Sequence, residues 1–340
     1  MAVTGVPRAG DPGDARGDGR PVLLVLRGLA LGDLLTAVPA LRALRRACPG
    51  HRIVLAAPAA LAELLPLIGA VDELLDVSGP GPVPVPAPGL PAPDIAVNLH
   101  GRGPQSVGAL CRTGAGRLLT HAHPDFPGTP GPAWRADAHE VRRWCDLLGW
   151  YGIPADPADL RLAVPDGTDG AAGGTAGART GPVVIHPGAA HPARRWPPER
   201  FARVAAELRA AGHDVVVTGG PAERELALRV AHLARLPGEN VLAGRTGLRE
   251  LAALLTGARL LVCGDTGVAH LASAYGTPSV VLFGPVSPAL WGPPPDGPHI
   301  ALWAGWSGDP HGGQPDPGLL RIDVPEVLDA ALKLTEVSVR

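Results

Sequence analysis

The stretch that most constrains this chain is Leu261-Val262-Cys263-Gly264-Asp265-Thr266-Gly267-Val268-Ala269-His270. The apolar run over residues 259–263 reads as a buried parallel strand, and after the turn at 264–267 the apolar residues Val268, Leu271, Ala272 and Tyr275 recur at helical spacing. A strand that passes directly into a helix is half of a βαβ unit, and chains built of such units form open parallel sheets. Ligands of these sheets bind beyond the carboxyl ends of the strands, where the free N–H groups of the new helix favour an anion. The polar residues of the stretch fall at that place. Thr266 is positioned to cap the helix, with His270 one turn further along the same face. Asp265 beside a diphosphate is repelled unless it binds hydroxyls instead. A ligand carrying both phosphate and sugar hydroxyls satisfies all three residues.

The same alternation runs through the chain. Residues 22–26 predict a first strand, followed by the glycine-punctuated loop Arg27-Gly28-Leu29-Ala30-Leu31-Gly32-Asp33 and a helix with Leu34, Leu35, Val38, Leu41 and Leu44 inward. Local sequence leaves Asp33 two roles: a first-turn carboxylate favoured by the helix dipole, or a catalytic base. Strand 52–56, helix 59–68 and strand 73–77 follow, then a Pro/Gly-dense loop over 79–93. Strand 94–99 ends in His100-Gly101-Arg102, polar groups facing the same crevice, with a structural role as the simpler account. Residues 138–150 predict a helix. His139-Glu140 at its start invites a metal reading, but no second histidine stands at ligand spacing, and the pair reads as a solvated helix start. The Gly/Ala/Thr-rich segment 166–180 has the composition of a flexible linker between a first domain, 21–165, and a second, 181–323.

In the second domain, strand 182–185 leads to His186-Pro187-Gly188, and Arg194-Arg195-Trp196-Pro197 opens a helix over 198–211. Strand 214–218 leads to Gly219-Gly220-Pro221-Ala222-Glu223, and a short strand is expected at 240–242. A helix over 246–256 then precedes the opening motif. Strand 279–283 ends at Gly284-Pro285. Polar or glycine-rich turns thus follow four strands at one edge of one sheet, which describes a ligand crevice. Phosphate chemistry is present in the helix starts at Gly188 and Thr266 and in Arg194 and Arg195, for which a surface ion pair is the plain alternative. Glu223 suits ribose hydroxyls, or is an ordinary first-turn glutamate. Residues 324–334 predict an amphipathic helix, expected to pack back on the first domain as part of a C-terminal segment, 324–340.

Composition removes several function classes. With 30 basic and 32 acidic residues there is no general attraction to nucleic acid or anionic membrane. Residues 1–20, rich in Gly, Asp and Arg and lacking an apolar core, read as a disordered tail and not a signal peptide. No apolar run approaches the roughly 20 residues of a membrane span. The four cysteines lack C-x-x-C spacing and read as reduced thiols, which fits a cytoplasmic enzyme. There is no G-x-G-x-x-G after the first strand, no Walker lysine and no Asp-x-Asp pair, so a dinucleotide dehydrogenase, a P-loop nucleotidase and a metal-dependent transferase lose ground.

Six motifs, Leu31-Gly32-Asp33, His186-Pro187-Gly188, Arg194-Arg195-Trp196-Pro197, Thr218 to Glu223, Gly264 to His270, and Phe283-Gly284-Pro285, stand in the order found in a known family. From about residue 22 to residue 334 the chain resembles glycosyltransferase family 9, the ADP-heptose:lipopolysaccharide heptosyltransferase type. The resemblance implies an α/β GT-B fold, two Rossmann-like doubly wound domains facing across a cleft. It implies an inverting, metal-independent transfer of a sugar, heptose from ADP-heptose foremost, to a hydroxyl of a glycan or glycolipid acceptor. Asp33 matches the family's base. Gly188, Arg194, Arg195, Thr266, Gly267 and His270 would hold the donor phosphates, with Arg194 in place of the family's lysine; Lys333 is the chain's sole lysine. Asp265 would hold donor-sugar hydroxyls, Glu223 the ribose, and Thr246 would lie near the base. His100 and Arg102 belong to the acceptor side. No cofactor or metal is implied, and the expected location is the cytoplasm, at most touching the inner face of the membrane. A GT-B epimerase or hydrolase, and a nucleotide-sugar-binding protein without turnover, are the alternatives.

Overall fold

The computed structural model describes residues 19–85, 90–166 and 179–337. Most of the expected tail and linker, residues 1–18 and 167–178, lies outside them. Two five-stranded sheets carry the chain, each parallel throughout. The first contains β1 Val22–Leu26, β2 Arg52–Ala57, β3 Glu73–Asp76, β4 Ile95–Asn98 and β5 Arg117–Leu119, in the order β3-β2-β1-β4-β5. The second contains β6 Val183–His186, β7 Val215–Val217, β8 Leu260–Gly264, β9 Ser279–Phe283 and β10 His299–Trp303, in the order β10-β9-β8-β6-β7. The central strands VLLVL and LLVCG are buried at every position, as sheets covered on both faces require.

Strand order reverses between β1 and β4 in the first sheet and between β6 and β8 in the second. Crevices open at such switch points, beyond the strands' carboxyl ends. The connections leaving β1, β6 and β8 carry Asp33, in the first turn of the helix Leu31–Thr36, Gly188 and Asp265. The helix Leu31–Thr36 and the helix Gly267–Tyr275 pack together, and one apolar cluster runs from Leu34 and Leu35 to Val268, Leu271 and Ala272. Each such buried leucine contributes roughly 1.5–3 kcal/mol. Glu63 of the first domain reaches across to accept a hydrogen bond from the Arg249 backbone N–H at 2.9 Å.

Two elements of the chain differ from the sequence expectation. Residues 240–242 do not form a strand: a 3₁₀ turn, Gly238–Asn240, gives a single bridge between Val217 and Val241, and the Asn240 carboxamide donates to the Val215 carbonyl at 2.7 Å, an acceptor a ladder would otherwise use. The last helix, Val324–Val337, lies on the second sheet beside the helix Pro198–Ala210. Its buried stripe, Val324, Val327, Ala330 and Ala331, joins the cluster around Trp196 and Phe201. The chain entering it is fixed to the same domain, since the Trp196 indole and the Arg200 guanidinium both donate to the Ile322 carbonyl, at 3.0 and 2.7 Å.

Candidate active site

A cavity of about 650 Å³ lies between the two sheets. Its first-domain wall is Leu29 to Asp33. Its second-domain wall includes His186, Arg194, Glu223, Thr246, Asp265, Thr266, Gly267 and His270.

Asp33 stands in the first turn of the helix Leu31–Thr36, whose N-cap Ala30 offers no side chain to the free N–H groups. Burial raises the Asp33 carboxyl above the usual carboxylate range; the nearby Arg27 charge opposes that and Glu140 adds to it. The structure therefore adds Arg27 and Glu140 to the site, the first read from sequence only as a loop residue and the second as part of a solvated helix start. Glu140 is buried, not solvated: its Oε1 accepts from Arg27 Nη2 and from the Trp144 indole, both at 3.0 Å, and its Oε2 from Arg143 Nε at 3.0 Å. His139 caps the same helix by accepting from the Val141 N–H, and its Nε2 lies 3.1 Å from the Gly292 carbonyl of the second domain.

Asp265 follows β8 and is buried, with Arg194 Nη1 at 3.7 Å from its Oδ2. Burial pushes its carboxyl up to about 6; Arg194 pulls it down and the Asp33 charge raises it further. In the unfolded chain an aspartate titrates near 3.9. The folded state holds the proton more tightly, so this group's contribution to stability falls as pH rises from about 4 to 6 and remains a penalty above that. Asp265→Asn is thus expected to raise the unfolding free energy at pH 7.5 by about 1–3 kcal/mol, with no gain below pH 4. Urea melts at the two pH values check this; a destabilised variant at pH 7.5 would mean the carboxylate is satisfied by its surroundings.

Thr266 occupies the N-cap position of the helix Gly267–Tyr275 in extended conformation, but its hydroxyl makes no capping bond, contrary to the sequence expectation. An uncapped helix start therefore lines the cavity, a site for an anion. Arg194 Nε, buried, has no hydrogen-bond partner among the described residues. His270 is part-buried beside the Trp291 ring, 6.0 Å between centroids, and burial with the neighbouring His139 lowers it to about 4. It is a neutral imidazole at pH 7, able to give one hydrogen bond without a charge.

The other residues divide. Glu223 lines the cavity, its Oε2 accepting from the Gly220 N–H at 2.8 Å and standing 3.8 Å from the His186 imidazole. Thr246 lines it as well. Gly188 does not: a Cβ there would lie 2.0 Å from Glu223 Oε1, so the glycine makes room for that carboxylate. Arg195 is spent on the Ala189 carbonyl, to which its Nε donates at 2.8 Å, and does not reach the cavity. His100 and Arg102 are also absent from the cavity lining; Arg102 is exposed, and burial lowers His100 to about 4. At the rim, and unnoticed in the sequence, His191 Nε2 and His311 Nδ1 stand 3.0 Å apart. Among the described residues no group of three or more His, Cys, Asp or Glu side chains is placed to hold a metal ion.

The walls meet at two glycines. A Cβ added at Gly267 would lie 2.8 Å from the Gly32 nitrogen and 2.8 Å from Leu31 Cβ, closer than atoms approach without displacement. Gly267→Ala is expected to push the two helix starts apart and to reduce any activity that uses both walls about tenfold or more, since misplacement by an ångström far from the chemistry carries such costs. The second domain's own stability should change little. Steady-state rates beside a thermal melt decide it, and full activity in the alanine variant would show that the walls need not touch.

A family model described as glycosyltransferase family 9 (heptosyltransferase) matches residues 133–302. Over 125 residues the chain is 36% identical to lipopolysaccharide heptosyltransferase 3 of Escherichia coli, a match that spans 36% of each chain. The fold is that of a glycosyl transferase family 9 structure from Veillonella parvula (TM-score 0.73, 24% identity, 93% of this chain and 98% of that one). It is also that of E. coli ADP-heptose lps heptosyltransferase II (TM-score 0.71, 21% identity, 93% and 99%). The architecture is therefore GT-B, as the resemblance implied.

Proposed function

We propose that this chain, which belongs to glycosyltransferase family 9, moves a sugar from a nucleoside-diphosphate donor to a hydroxyl of a cell-envelope glycan or other glycoconjugate, with inversion and without a metal. Heptose from ADP-heptose is the donor we expect. The observation that carries the reading is an opposition across one cavity: Asp33 on one wall, and Arg194 with the uncapped helix start at Thr266 and Gly267 on the other.

In this reading the donor diphosphate lies on the second domain. The helix N–H groups, Arg194 and the neutral His270 face the charge that grows on the leaving phosphate oxygen. Asp265 and Glu223 accept from sugar and ribose hydroxyls, which explains carboxylates in a phosphate site, and Thr246 lies near the nucleobase. Asp33 takes the proton of the acceptor hydroxyl as its oxygen attacks the anomeric carbon from the side away from the diphosphate, and the anomeric C–O bond to phosphate breaks. A carboxyl raised by burial is a better base than an exposed one. Work on the cytoplasmic side of the membrane suits such a donor; among the described residues no helix is long and apolar enough to cross a membrane.

The test is calorimetric titration of ADP, GDP, UDP and dTDP into the protein, without and then with magnesium, followed by product analysis of ADP-sugars with and without glycan acceptors. Selective, magnesium-independent ADP binding and acceptor-dependent transfer are expected. Preference for another nucleotide overturns the donor. Sugar release that ignores the acceptor overturns transfer.

A further inference from the structure

The Arg27 side chain is 1% exposed, and its guanidinium is divided among several acceptors. Nε donates to the Asp33 carbonyl at 2.9 Å, Nη1 donates to the Leu99 carbonyl, and Nη2 donates to Glu140 Oε1 at 3.0 Å and Thr36 Oγ1 at 3.2 Å. The Asp33 carboxylate is left at 3.4 Å from Nη2, near enough for an ion pair but outside the hydrogen-bonded set. Glu140 and Asp33 thus compete for one nitrogen, and Glu140 holds it. Glu140 is itself fixed by Arg143 and the Trp144 indole, and the Trp144 ring lies 4.7 Å from the guanidinium carbon.

We propose that Glu140 is a positioning residue for Asp33: by drawing Arg27 Nη2 to itself it lets the guanidinium fasten the Asp33 backbone while keeping the Asp33 carboxylate out of a hydrogen bond with that cation. This rests on the reading of Asp33 as the base. A carboxylate in a close Arg pair has a low proton affinity and is a poor base, whereas one that meets the same cation only at longer range keeps it. Titratable and charged groups come to this cluster from every element packed against it. Arg27 comes from the loop after β1 and Glu140 from the helix Glu140–Trp150, with Arg143 behind it and His139 at its cap. Asp265 with Arg194 comes from the second domain, His270 from the helix Gly267–Tyr275, and His100 faces Arg27 from the end of β4. Of these, Glu140 alone both bonds Arg27 and raises Asp33.

The experiment is a carbon-13 NMR titration of the full chain labelled at aspartate carboxyls, with the Asp33 signal assigned by its loss in Asp33→Asn. Glu140→Gln is expected to lower the Asp33 midpoint by at least about one pH unit, a tenfold loss of proton affinity, as Nη2 turns to Asp33. Glu140→Asp, which keeps the buried charge on a shorter arm, should shift it less and in the same direction, and it decides the matter if the glutamine variant does not fold. A midpoint unmoved in the folded variants overturns the proposal, because a merely structural Glu140 would change the melting temperature and not the titration. The readout needs no turnover. If wild-type protein transfers no sugar, the reading of Asp33 as a base fails while the titration still decides whether Glu140 sets its charge.

Discussion

Asp33→Asn is expected to lower the rate of sugar transfer by about 10²–10⁴-fold, the usual contribution of a positioned base. Affinity for the nucleoside diphosphate should stay within about threefold, because in the proposed mechanism the lost group acts on the acceptor proton in the transition state and not on the phosphates. Asparagine keeps the shape of the side chain and removes a carboxyl that burial already disfavours as an anion, so the fold should tolerate it. In the proposed mechanism the active form is the carboxylate. Its folded-state proton affinity is raised, so the rate should climb with pH through a midpoint above that of an ordinary aspartate and level off once the proton is gone. Single-turnover transfer and calorimetry on the same preparation separate the effects. Donor affinity that falls in step with the rate would make Asp33 a structural residue of the cleft.

What was legible in the chain follows from burial. Strands covered on both faces are unbroken apolar runs, so β1, β6, β8 and β9 stand out as VLLVL, VVIH, LLVCG and SVVLF, and the glycine turns after them mark the crevice. The edge strands β5 and β10 do not stand out: one has three residues and the other is half-exposed along its length, so neither carries that pattern. Arg194 and Arg195 are indistinguishable as letters. Only the 3₁₀ turn at Pro192–Arg194 sends one to Asp265 and the other to the Ala189 carbonyl. Glu140 left a readable sign, since it lies four residues before the buried Trp144 and eight before Leu148, on the helix face that faces the core. Its partner left none. Arg27 is 113 residues away in sequence, and only the packing of that helix across the end of β1 brings the charges together.

That buried pair supports the largest stability effect we expect. Arg27→Met removes the cation that lies between Glu140 and Asp33 and takes donors from the Leu99 and Asp33 carbonyls, leaving Glu140 to Arg143 and Trp144 alone. Breaking a buried pair from one side typically costs about 3–5 kcal/mol, because the remaining charge has lost both water and partner. The cost should depend on pH. Without Arg27 the Asp33 carboxyl, already raised by burial, rises further above its unfolded value, so the penalty is full at pH 7.5 and shrinks as pH falls through that raised value. Removing the anion as well, in Arg27→Met/Glu140→Gln, should recover part of the loss, with a coupling of at least about 1 kcal/mol between the two sites. Glu140→Gln alone should be milder than Arg27→Met, because the freed Arg27 nitrogen has the Asp33 carboxylate at 3.4 Å to turn to, whereas a freed Glu140 has no second cation beyond the Arg143 it already holds. Urea melts of the three variants at pH 7.5 and pH 5 measure all of this. Strictly additive losses, or an Arg27→Met cost that does not change with pH, would mean that the two charges are held independently and that the network does not act as a unit.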